Sequence, residues 1–150
     1  MFLVDTNLLS EMRRHGEGLA HPSVAAWLRM QTPQDLHISA ITLFETEIGI
    51  RRMERRDPRQ GAALRGWLNT GVLPLFGDRI LPVDAAVATA AAGFHVPNPA
   101  PIADSLIAAT ALVHGLTVAT RNAADFRLAG VAVLNPWEFP LPPPPGDEIS

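Results

Sequence analysis

Short apolar runs alternate with longer helical stretches along this chain, and that alternation restricts the possible folds more than any other feature. Phe2-Leu3-Val4 is apolar throughout and meets Asp5-Thr6-Asn7 at once, the pattern of a buried strand ending in a polar turn that starts a helix. Leu36 to Ala40, Ile80 to Val83, Leu116 to Ala119 and Val131 to Leu134 are further strand candidates. From Ile41 to Asp57 the pattern is helical, with Ile41, Phe44 and Ile48 on one stripe, until Pro58 interrupts it. A second helix is expected over Gln60 to Asn69. Asp84 suits the N-cap of the alanine-rich helix that follows it, and Gly115 suits the close of a helix over Ala103 to His114. Between these two, Val96-Pro97-Asn98-Pro99-Ala100-Pro101 forces a loop. The order predicts an α/β fold of three layers, with a mostly parallel central sheet of four to five short strands flanked by helices. Ligands in such folds gather beyond the carboxyl ends of the strands.

The 150 residues, 47% of them hydrophobic, suffice for one packed domain. That domain is expected to span residues 1–139. Residues 140–150, with five prolines between Pro140 and Pro145, read as a flexible tail. A net charge of -3 argues against a surface that grips nucleic acid everywhere, so any such partner must be held locally. The chain has no Cys and no Tyr, and its 12 basic side chains are all Arg. Thiol nucleophiles, Cys-bound zinc, Schiff bases and P-loop lysines are thereby excluded. The acidic residue at position 5 does not suit a secretory leader, and no stretch is long and apolar enough for a membrane span. A cytoplasmic protein is expected.

Four acids, Asp5, Glu45, Asp104 and Asp125, fall on one edge of the expected sheet. Such carboxylates cannot all stay ionised unless a cation neutralises them, and a hard divalent ion such as Mg²⁺ or Mn²⁺ is the natural partner. Each acid also has an ordinary explanation. Asp5 suits the N-cap of a helix through Leu8, Leu9 and Met12. Asp104 suits the positive end of a helix dipole, although Ile107, Ala108 and Ala111 place it on the stripe that faces the core. Glu45 shares a charged helix with Glu47 and Glu54, with open space expected beside it at Gly49, and Asp125 suits a turn before Phe126.

Taken together, four blocks resemble the PIN-domain ribonucleases, specifically the VapC toxins of toxin–antitoxin pairs and their FitB-like branch. They are Val4-Asp5-Thr6-Asn7-Leu8-Leu9-Ser10-Glu11, Ser39-Ala40-Ile41-Thr42-Leu43-Phe44-Glu45, Ala103-Asp104-Ser105-Leu106-Ile107-Ala108-Ala109-Thr110-Ala111 and Thr120-Arg121-Asn122-Ala123-Ala124-Asp125-Phe126. Asn135-Pro136-Trp137 is similar to the family's usual ending, so the likeness runs from about residue 2 to 137. The proline-rich segment before Asp104 and the bulky Phe44 before Glu45 depart from the pattern and bear on loop shape and substrate access. The resemblance implies a Mg²⁺-dependent endoribonuclease, with Mn²⁺ as a substitute. Asp5, Asp104 and Asp125 would hold the metal directly or through water, with Glu45 as ligand or water-positioning base. Thr6, Asn7, Thr120, Arg121 and Asn122 would brace the carboxylates or meet the substrate. The implied partners are RNA, a cognate antitoxin, a second copy of the chain in a homodimer, and operator DNA only through the antitoxin.

Arg51, Arg52, Arg55, Arg56 and Arg59 are spaced to form one broad helical face, either an RNA-phosphate contact or a solvated face paired with Glu54 and Asp57. The histidines show no metal-ligand spacing; His37 and His114 read as structural, and Trp27, Trp67 and Trp137 as core or interface residues. Two readings outside the nuclease class stay open. A phosphoacceptor or phosphatase-like domain also places Asp after the first strand, but it wants a second Asp where Asn7 stands, or a lysine. A catalytically silent binding module keeps the fold and loses the chemistry.

Overall fold

The computed structural model describes residues 1–127 and 130–143. Its strands are β1 (Phe2–Val4), β2 (Leu36–Ser39), β3 (Ile80–Leu81), β4 (Thr117–Ala119) and β5 (Val133–Leu134). They pair in the order β3-β2-β1-β4-β5, and every pair is parallel. The helices are α1 (Thr6–Gly16), α2 (Pro22–Arg29), α3 (Ala40–Arg56), α4 (Pro58–Trp67), α5 (Leu73–Phe76), α6 (Ala85–Gly93), α7 (Ile102–His114) and α8 (Ala123–Arg127).

Alternation along the strands builds the three layers. In β1, Val4 joins Leu8, Leu9, Trp27 and Ile38 in one core, whereas its neighbour Leu3 joins Ile107, Ala108 and Ala111 in the other. β4 repeats the division, with Ala119 in the first core and Val118 in the second. The first core is closed by α1, α2 and the α4–α5 region, and the second by α7 and α8. Helix α6 adds Val87 and Ala91 against Ala109 of α7. The three-layer α/β expectation is met, with five strands.

The connections give this sheet a switch point. From β1 the chain moves outward through β2 to β3, then crosses back to lay β4 on the other side of β1 and β5 beyond it. The crevice where the two directions diverge lies at the carboxyl ends of β1 and β4, the place where open α/β sheets bind ligands.

Several local expectations are met by identifiable chemistry. Ser39 accepts a hydrogen bond from the Ile41 N–H at 3.0 Å and starts α3, one residue earlier than expected, so β2 ends at Ser39 and not at Ala40. Asp84 caps α6 through the Val87 N–H at 3.0 Å. Gly115 ends α7 with φ +65°, a conformation that costs a residue with a side chain more than it costs glycine.

Others need correction. Pro58 stops α3 and also occupies the first position of α4, where its missing N–H is no loss, while Asp57 caps that helix through the Gln60 N–H. The helical path does not end at Asn69: a π turn over Leu68–Val72 carries it into α5, with Pro74 in the first turn. α2 was not expected, and its cap is unusual, the His21 ring accepting from the Ser23 N–H at 3.1 Å. β3 stops at Leu81 before Pro82, and β5 begins at Val133, so both are shorter than the apolar runs that suggested them. The outer half of the proposed tail, residues 144–150, lies outside the described residues.

Candidate active site

Asp5 stands at the end of β1, and two demands on its carboxylate are met by different oxygens. Oδ1 accepts from the Leu8 N–H at 2.9 Å, which makes Asp5 the N-cap of α1. Oδ2 accepts from the Thr120 hydroxyl at 2.6 Å, across 115 positions of sequence and across the switch point. Thr120 is itself fixed by the Asn122 N–H, which donates to its Oγ1 at 2.9 Å, so the hydroxyl hydrogen is turned toward Asp5. Asp5 is only 5% exposed. Burial pushes its pKa up; the Thr120 and Leu8 hydrogen bonds oppose that, and the charges of Asp104 and Glu45 add to it. The capping role and the clustering with other acids are therefore both present in one residue.

Glu45 projects from the second turn of α3, where Oε1 accepts from the Thr6 hydroxyl at 2.7 Å. Thr6 follows Asp5 directly, so the start of α1 ties both acids together. A Cβ added at Gly49, one turn further along α3, would meet nothing within 4 Å, which agrees with the open space expected beside Glu45. Asp104 lies in the first turn of α7 and is half-buried. Burial raises its pKa first, then the charges of Asp125 and Glu45. Among the described residues, neither the Asp104 nor the Asp125 carboxylate accepts a hydrogen bond. Asp125 is exposed on the short helix α8.

Two adjoining hollows receive these groups. A cleft of about 140 Å³ is lined by Asp5, Thr6, Asn7, Glu45, Asp104 and Asn122, with Ile107 and Phe126 as its apolar wall. Asp125 opens instead onto a neighbouring pocket of about 540 Å³ and shares Asp104 with the cleft. Three of the four acids therefore share one hollow, and the fourth is coupled to them through Asp104. No three Asp, Glu or His side chains among the described residues stand close enough to form a ready-made metal cage.

The remaining sequence candidates separate clearly. Thr6, Asn7 and Asn122 line the cleft, whereas Thr120 is fully buried and acts through Asp5. Arg121 lines neither hollow and lies over Trp137, with its guanidinium carbon 5.5 Å from the ring centroid. The expected arginine face is broken, because Arg59 belongs to α4 and not to α3. Glu54 pairs with Arg65 at 2.9 Å and Glu47 with Arg65 at 2.6 Å, so these acids tie α3 to α4. Trp27 is core, while Trp67 and Trp137 pack at its edge. Sequence reasoning missed Ile107 and Phe126 as cleft walls, and missed His95, whose ring fastens the proline-rich loop to α7. The proline density before Asp104 was the only signal for that loop.

The PIN domain family model matches residues 2–131. The chain belongs to the PIN domain family. This PIN domain is 40% identical to Toxin FitB of Neisseria gonorrhoeae over 143 residues, covering 91% of this chain and 99% of that protein. It is 34% identical to the VapC ribonuclease Y4jK of Sinorhizobium fredii over 145 residues, covering 92% and 99% respectively. A solved structure of FitAB bound to an IR36 DNA fragment superposes on it with a TM-score of 0.83 at 36% identity, covering 94% of this chain and 99% of that one. No helix of the described residues is long and apolar enough to cross a membrane.

Proposed function

We propose that this PIN domain is the toxin of a toxin–antitoxin pair, an endoribonuclease that hydrolyses RNA phosphodiester bonds with the help of a divalent ion. The observation that carries the reading is the cleft at the switch point, which Asp5, Glu45 and Asp104 line together, burial and the neighbouring negative charges raising the pKa of Asp5 and of Asp104. Similarity to a toxin and to a ribonuclease over nine-tenths of the chain supports the same function.

PIN-domain ribonucleases generally depend on a divalent metal, and the donor set here suits Mg²⁺, with Mn²⁺ as a substitute. It is made of carboxylate oxygens, and because no three acids among the described residues stand close enough to form a metal cage, bound waters would have to complete the coordination. Asp5 and Asp104 would hold the ion, with Asp125 joining directly or through water. When bound, the ion supplies positive charge at the phosphate and makes nearby water more acidic. The chain's own residues do the rest. Thr120 holds Asp5 in one orientation, Thr6 does the same for Glu45, and Glu45 is placed to orient water or accept its proton. Asn7 and Asn122 face the cleft as neutral partners for phosphate oxygens.

The two-protein FitAB assembly on DNA supports a cognate antitoxin as partner, with operator DNA reached through that partner, and the reading includes a homodimer in the cytoplasm. Purified protein with Mg²⁺ is expected to cleave structured RNA. Asp5→Asn and Asp104→Asn should each lower the rate by roughly 10²-fold or more with an unchanged circular dichroism spectrum. Equal cleavage by the wild type and both variants would remove these acids from the mechanism.

A further inference from the structure

Apart from Asp104 and Asp125, the lining of the 540 Å³ pocket beside the cleft has no part in the bond-breaking chemistry above, and the pocket shares Asp104 and Phe126 with the cleft. Its volume lies in the range of pockets that hold small organic groups. Phe94, Ala108 and Phe126 form an apolar interior, and the rim is the loop from Val96 to Pro101. Val96 is 76% exposed at that rim, an apolar side chain presented to whatever enters. Asn98 adds one neutral amide, able to donate and to accept.

The loop is held in shape by one ring. The Ser105 hydroxyl donates to the Ile102 carbonyl at 2.7 Å, so its hydrogen is committed. His95 Nε2, 2.9 Å from the same Oγ, must therefore be the donor. In the neutral ring that leaves Nδ1 as acceptor for the Ala100 N–H at 3.4 Å. His95 thus fastens the far end of the loop to α7, at the residue that follows Asp104.

We propose that this pocket holds the nucleobase next to the scissile phosphate of single-stranded RNA, and that His95 is a positioning residue that sets its shape and hence the preferred cleavage sequence. The inference rests on the nuclease reading. A flat, neutral base suits a pocket whose interior is aromatic and aliphatic and whose lining, among the described residues, offers no cationic side chain to pair with a phosphate. The shared Asp104 puts the phosphate and the adjoining base in neighbouring hollows.

The test is cleavage of an RNA pool with randomised single-stranded loops, with the cut ends sequenced, by wild type, Asn98→Ala, Phe94→Leu, His95→Ala and His95→Gln. Wild type should favour particular bases at a position flanking the cut. Asn98→Ala, an exposed site whose replacement leaves the core untouched, and Phe94→Leu should each change the rate ratio between favoured and disfavoured bases by about fivefold to tenfold. His95→Ala should flatten the preference. His95→Gln, whose amide can donate to Ser105 and accept from Ala100, should restore it. An unchanged cleavage profile in active Asn98→Ala and Phe94→Leu overturns the base pocket and leaves the nuclease standing. Wild type that cleaves no RNA removes both. Variants with a wild-type profile that escape inhibition by the co-expressed antitoxin assign the pocket to a protein segment and overturn the proposal.

Discussion

Valine in place of Thr120 keeps the side-chain volume and removes one hydroxyl. That hydroxyl donates to Asp5 Oδ2 at 2.6 Å in a place where Thr120 is fully buried and Asp5 is 5% exposed, so water is poorly placed to substitute for it. A hydrogen bond to a charged group contributes roughly 1.5–3 kcal/mol, and burial favours the upper part of that range. The freed Asn122 N–H belongs to an exposed residue and can find water, so it adds little. The expected loss at neutral pH is about 2–3 kcal/mol, a large share of the stability of a domain this size. Because the Thr120 bond holds the Asp5 pKa down, Thr120→Val raises it further, and the difference between wild type and variant should shrink as acid protonates Asp5.

Urea unfolding of wild type, Thr120→Val, Asp5→Asn and the double variant completes a thermodynamic cycle. In the Asp5→Asn background the charge is gone, and the valine should cost only about 1 kcal/mol. Thr120→Ser keeps the hydroxyl and loses the methyl, so it separates the hydrogen bond from the packing of the side chain. Mn²⁺ titration should show roughly tenfold or weaker affinity in Thr120→Val, since the hydroxyl orients the carboxylate that would face the ion. A valine variant within about 0.5 kcal/mol of wild type, or one equally costly in both backgrounds, would refute the idea that Thr120 acts through the Asp5 charge.

Stability should also respond to pH in a direction set by the cleft. Asp5 and Asp104 have folded pKa values raised above the ordinary 3.8, so the folded protein binds their protons more tightly than the unfolded chain does. Their contribution is full below the unfolded value and is lost as pH rises through the folded values. Metal-free wild type should therefore lose Tm relative to Asp104→Asn as the pH rises from about 4 through the raised folded values. Added Mg²⁺ should close the gap by binding the ionised form. Glu47, held low by Arg65 and Arg51, tilts the other way, so the comparison with the variant carries the signal; a Tm difference that does not vary with pH contradicts it. Away from the site, a Cβ at Gly61 would stand 2.5 Å from Glu54 Cα and 2.7 Å from Glu54 N, both backbone atoms. Gly61→Ala should cost about 2 kcal/mol or more in urea unfolding by prising α4 from α3, whereas Gly66→Ala, with nothing within 4 Å, should be neutral or stabilising; equal stabilities would dismiss the close approach.

Much of this architecture was readable along the chain because the deciding physics is local. Apolar runs ended by polar turns marked the strands, Asp84 and Gly115 marked helix ends by the backbone groups they satisfy, and four acids followed or opened elements in a consistent way. Readings failed where two local rules applied at one residue or where length was borderline. Pro58 is both a stop and a start, the π turn at Leu68–Val72 hides the continuation into α5, and α2 has eight residues and a histidine cap.

The amino-acid order alone pointed to the three-layer α/β class, to a mostly parallel sheet and to the four candidate acids. Tertiary structure decided how those acids group: Asp5, Glu45 and Asp104 in one cleft, Asp125 on the far side of Asp104, and Arg121 resting on an indole. It also decided that Asp5 meets Thr120, a bond that exists because β4 returns to lie beside β1 after β2 and β3 have been laid on the other edge. Caps and strand ends depend on a few neighbouring residues, and so they are written in short words of sequence. Strand order depends on which distant faces bury each other, a balance among whole elements that no short stretch of residues encodes.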